Sequence, residues 1–78
     1  MNLAGVEEKP QILPQFGDRV RELRKAKGLS QEAFASICGL DRPYISGLER
    51  GVRNISLLNI QLIAKALDIS LANLMRGL

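Results

Sequence analysis

The densest chemistry in the sequence lies in "RPYISGLERGVRN", residues 42–54. Arg42, Arg50 and Arg53 share this short stretch with Tyr44, Ser46 and Asn54. A guanidinium offers a fork of N–H donors that bonds bidentately to a guanine edge or a phosphate, and a Ser or Tyr hydroxyl can reach either. At about 100° per residue, Ile45 and Leu48 take one side of a helix. Pro43, Ser46, Gly47 and Arg50 take the other, with Arg42 and Tyr44 flanking its N-terminal end. A glycine in the middle costs about 1 kcal/mol relative to alanine, but its missing side chain lets a second surface come close. A helix lying in a DNA major groove needs this combination. A solvated face that binds nothing has the same composition, so the surrounding elements must decide.

Those elements are short helices. Phe16, Val20 and Leu23 recur at i, i+4 and i+7, which predicts a helix over 15–27. Asp18 lies in its first turn and Lys25 and Lys27 in its last, matching the macrodipole, and Gly28 supplies the stop. Ser30 is a good N-cap for a second helix, 31–38, with Ala33, Phe34 and Cys38 as the expected buried face and Gly39 at its end. Asp41 caps the arginine-bearing helix, which starts at Arg42 or Pro43 and closes at Gly51. Ser56 caps a fourth helix through Leu67, and Ser70 a fifth over "LANLMRGL". Residues 1–14, with Pro10 and Pro14 and no periodicity, read as a flexible N-terminal arm, leaving 15–78 as the folded domain. No segment shows sustained strand alternation, so the expected fold is an all-α bundle of five helices.

Composition narrows the function. The chain has 78 residues and a net charge of +3; residues 15–54 carry eight Lys/Arg against five Asp/Glu. That excess fits an anionic partner or an ordinary solvated surface equally well. There is no histidine, and the one cysteine, Cys38, falls on a buried face. Neither paired carboxylates nor a phosphate-cradling glycine loop is present, which argues against an enzyme, and no metal or other cofactor is expected. The lone cysteine suits a reducing compartment, and no apolar run approaches the ~20 residues of a membrane span, so a cytoplasmic location is expected.

Two helices joined by a turn centred on Gly39 make a helix-turn-helix arrangement. "LRKAKGLSQEAFASICGLDRPYISGLERG" resembles the Cro and lambda-repressor (XRE) class of helix-turn-helix regulators. The likeness rests on Gly28, "SQE" at 30–32, Ala35, Gly39, "ERG" at 49–51 and "IAKAL" at 63–67. Within that class, "LDRPYISGLERGVRN" is similar to the recognition region of restriction–modification controller proteins. The resemblance implies a compact lambda-repressor-like domain that binds double-stranded operator DNA and regulates transcription. Gln31 would bond a phosphate; Arg42, Tyr44 and Ser46 would face base edges; Arg50, Arg53 and Asn54 would grip the backbone. Arg24 and Glu49 would form an internal ion pair. Controller relatives often carry threonine where this chain has Pro43, which keeps only apolar contact with a thymine methyl.

The fourth helix is apolar on two sides. Leu57, Ile60, Ile63, Ala64 and Leu67 form the expected core stripe, and Leu58, Leu62 and Ala66 lie roughly opposite. With Leu71, Leu74, Met75 and Leu78 of the last helix, Leu58 and Leu62 are candidates for a two-fold homodimer interface, or they are covered by the last helix or the N-terminal arm. A dimer would read a near-palindromic operator, blocking RNA polymerase or recruiting it, and the controller resemblance implies both. The competing reading is an antitoxin-like module whose main partner is a protein.

Overall fold

Four side chains fix where four of the helices begin. The computed structural model describes residues 11–78 and contains α1 (Ile12–Ala26), α2 (Gln31–Cys38), α3 (Arg42–Glu49), α4 (Leu57–Ala66) and α5 (Leu71–Leu74). Ser30 Oγ accepts from the Ala33 amide at 3.0 Å, Asp41 Oδ1 from Tyr44 at 2.8 Å, Ser56 Oγ from Asn59 at 3.1 Å and Ser70 Oγ from Asn73 at 3.0 Å. Each satisfies one of the amides that a helix start leaves without a partner. No strand occurs among the described residues, and the fold is all-α.

The start of α1 corrects the expected domain boundary. Ile12, Leu13 and Pro14 are helical, not part of an arm. Pro14 sits in the first turn, where a missing amide hydrogen costs no intrahelical bond, so the proline does not interrupt the helix. The rest of the expected arm, residues 1–10, lies outside the described residues. At the other end, α5 stops at Leu74, not at the chain's last residue. Arg19 takes over its terminal carbonyls, donating to Asn73 O at 2.7 Å and Leu74 O at 3.3 Å.

Phe34, Ile45, Leu48, Ile63, Leu67, Leu74 and Val20 are fully buried and form one core, drawn from all five helices. Two expected faces are rotated or shortened. On α2, Ala35 is buried and Ala33 exposed. Phe34, Ala35 and Cys38 share the i, i+1, i+4 face that meets α3 and α4. On α4, Leu57 is 76% exposed, whereas Ile63, Ala64 and Leu67 reach the core. Leu57 is the first residue of α4 and lines a surface depression beside Leu71 of α5 instead of packing inward. Gly17 lets α1 press against the end of α3, since a Cβ there would lie 2.5 Å from Leu48 O.

Candidate nucleic-acid interface

The turn between α2 and α3 is closed by Gly39, whose φ of +74° lies in the left-handed region that glycine enters without strain. The Leu40 amide donates to Ala35 O at 3.0 Å and the Gly39 amide to Ser36 O at 3.2 Å, satisfying carbonyls at the end of α2. α3 then buries Ile45 and Leu48 completely, which leaves its opposite side no choice of direction.

The C-terminal end of α3 is tied to α1 and α2 through one buried carboxylate. Glu49 is 2% exposed and Arg24 7%. Arg24 Nε donates to Glu49 Oε2 at 2.7 Å and Arg24 Nη2 to Oε1 at 3.0 Å, a bidentate pair. Arg24 Nη1 also reaches Leu29 O at 2.8 Å. Arg21 Nη2 donates to Glu49's backbone carbonyl at 2.9 Å. Gln31 joins the same cluster: its Nε2 donates to Glu49 Oε1 at 3.0 Å, which fixes the side chain at the start of α2 with one amide proton left. The sequence offered no sign of that third partner, because Gln31 and Glu49 lie on different helices.

Of the remaining site residues, Arg42, Pro43, Arg50, Arg53 and Asn54 are exposed, and Tyr44 and Ser46 half-buried. Arg42 and Arg50 have no side-chain hydrogen bond or ion pair among the described residues. Gly47 differs from expectation. It is buried, because Arg53 folds back across it; a Cβ there would lie 2.9 Å from Arg53 Nε. The Arg53 guanidinium sits 5.1 Å from the centre of the Tyr44 ring. Tyr44 Oη in turn accepts from Asn59 Nδ2 at 2.9 Å. Sequence reasoning missed Asn59 altogether.

The apolar candidates separate. Leu58 is 65% exposed, and Leu71 and Leu78 are exposed as well. Leu62 and Met75 are half-buried. Leu74 is completely buried in the core of its own chain and has no surface left for a second copy. In its place Leu57 joins Leu58, Gln61 and Leu71 around a shallow surface depression.

Burial pushes the Cys38 thiol up from 9.0 to about 11, away from the thiolate that a nucleophile requires. Among the described residues, no group of His, Cys, Asp and Glu could hold a metal ion, and no helix is long and apolar enough to cross a membrane.

Residues 20–74 match the helix-turn-helix family. The control protein C.MunI of Mycoplasma sp is 48% identical over 61 residues, covering 77% of this chain and 82% of that protein. The chain belongs to the helix-turn-helix family, in its restriction–modification controller branch. Membership makes it a DNA-binding transcription regulator. C.BamHI of Bacillus amyloliquefaciens is 53% identical over 55 residues, 69% of this chain and 68% of that one. Among solved structures, the restriction–modification controller protein C.AhdI from Aeromonas hydrophila superposes with a TM-score of 0.79 at 59% identity, covering 81% of this chain and 91% of its own. The controller protein C.Esp1396I, solved as a tetramer in complex with its natural 35 base-pair operator, gives a TM-score of 0.78 at 35% identity over 83% of this chain and 86% of that one.

Proposed function

We propose that the chain binds a near-palindromic DNA operator as a homodimer and controls transcription of restriction–modification genes. The observation that carries this reading is the asymmetry of α3. One side is fully buried through Ile45 and Leu48, while the other leaves the donors of Arg42 and Arg50 unspent. With α3 in the major groove, Arg42, Pro43, Tyr44 and Ser46 meet base edges, Arg42 suiting a guanine, and Arg50 and Asn54 meet phosphates. Gln31 keeps one amide proton for a phosphate while its other is held by Glu49.

The exposed leucines Leu57, Leu58 and Leu71 support pairing of two copies through α4 and α5, with Leu62 and Met75 contributing at the edge and Leu78 alongside. A two-fold pair presents its recognition helices about 34 Å apart, one turn of the duplex. The likeness to a controller crystallised as a tetramer on its operator supports such an assembly here. Occupancy over a promoter excludes RNA polymerase and occupancy beside it recruits polymerase, so the position of the operator sets the sign. No enzymatic activity is part of this reading, and the cytoplasm, where promoters are found, is its setting. Selection from random duplexes followed by gel shift tests it. Enrichment of a site with two related half-sites is expected; retention of random DNA as tightly as any selected site would refute it and favour a protein partner.

A further inference from the structure

The loop between α3 and α4 folds back on the recognition helix. The Val52 amide donates to Gly47 O at 3.1 Å, and Arg53 then crosses the glycine to reach the Tyr44 ring. A ring is a useful seat for a guanidinium only if the ring itself is held. Tyr44 is only half-buried, and what holds its far end is α4: the Ser56 cap fixes the Asn59 backbone, and Asn59 Nδ2 donates to Tyr44 Oη. Helix cap, amide, phenol and guanidinium thus form a continuous chain from the scaffold to the interface. The guanidinium at its end has no hydrogen-bond acceptor among the described residues, so its donors stay available while its position is set.

We propose that Asn59 is a positioning residue for DNA sequence preference, acting through the Tyr44 ring to hold the Arg53 guanidinium over Gly47. Arg53 then works as a preset reader on the outer face of α3 and not as a loose backbone grip. A mobile guanidinium must be ordered when DNA arrives, and this one is ordered beforehand. The proposal rests on the DNA-binding reading above, so its test has one arm without DNA.

In that arm, Tyr44 is the chain's single tyrosine and there is no tryptophan, so its ring resonances are readily assigned, and the other two aromatic rings, Phe16 and Phe34, are buried in the core. In the free protein the Arg53 side-chain protons should be shifted upfield by the ring, and Asn59→Ala should return them toward unstructured values with the fold's other resonances kept. In the second arm, affinities for a selected operator and for random duplex are measured for wild type, Asn59→Ala, Arg53→Ala and the double variant. Asn59→Ala should lower the operator-to-random ratio about fivefold, and the double variant should be no worse than Arg53→Ala alone. A substitution that merely loosened the domain would weaken both duplexes equally and would add to Arg53→Ala. Unshifted Arg53 protons in the wild type, an unchanged ratio, or additive losses would each overturn the proposal. A wild type without any preferred duplex would sink the DNA reading itself and leave the resonance shifts to decide the positioning role.

Discussion

Arg42 stands at the first position of α3, exposed and without a side-chain partner among the described residues. Removing it therefore breaks nothing inside the protein. Arg42→Ala should leave the thermal midpoint unchanged, weaken operator binding by about 1–3 kcal/mol and relax preference at one base pair. Equal weakening on every sequence, read by gel shift on a panel of single-base variants, would make Arg42 a phosphate contact instead. Gly47 separates stability from binding more sharply. Alanine there gains about 1 kcal/mol of helix propensity, but its methyl would lie 2.9 Å from Arg53 Nε and must push the side chain off the ring. Losing that stack costs about 0.5–1 kcal/mol at an exposed site. The two nearly cancel, so Gly47→Ala should melt within a few degrees of wild type while binding its operator several-fold more weakly. A variant that binds normally would show that Arg53 need not lie where it does.

At the scale of the helices, the buried Arg24–Glu49 pair decides how α3 is aimed. Glu49→Ala strands a guanidinium that is 7% exposed and also releases Gln31 and its place at the start of α2. Breaking one side of such a pair typically costs about 3–5 kcal/mol, a large part of the roughly 5–15 kcal/mol that holds a small domain together. Urea unfolding should register a loss of that order; one below about 1 kcal/mol would place the pair with ordinary surface bridges. The sequence announced some of this arrangement and hid the rest. Ser30, Asp41, Ser56 and Ser70 were legible because a cap acts within three residues of itself. Gly39 was legible because it closes a turn locally. The start of α1 was obscured by Pro14, whose effect depends on being in the first turn or beyond it. The buried side of α2 was misjudged at Ala33 and Ala35, since in eight residues a few tens of degrees of rotation exchange two alanines. The Arg24–Glu49 link came from family resemblance, supported by the wheel position of Glu49. The Asn59–Tyr44–Arg53 chain could not be read at all, because it joins residues whose nearness exists only once α3 and α4 are packed.

For the whole molecule, the unsettled quantity is apolar surface. A domain of this size buries only about 60% of what its unfolded chain exposes, and here Leu57, at 76%, and Leu58, at 65%, remain open on one helix. Single exposed leucines need no explanation, but a cluster with Leu71 around one depression does. Leu58→Glu tests whether a second copy covers it. Because Leu58 is already in solvent in the single chain, the substitution should change the stability of an isolated copy by no more than about 0.5 kcal/mol. In the dimer it forces two carboxylates into an apolar contact. Sedimentation should then find single chains at concentrations where the wild type pairs. Coupling two half-sites can raise affinity by about 10²–10⁴ without any new contact, and that gain should vanish: the full operator would be bound no better than one half-site. The Arg42 preference within each half-site should survive, since the recognition surface lies on another helix. A Leu58→Glu protein that still pairs and still gains from the second half-site would mean that the two copies meet elsewhere, and the spacing of their recognition helices would have to be derived from that other surface.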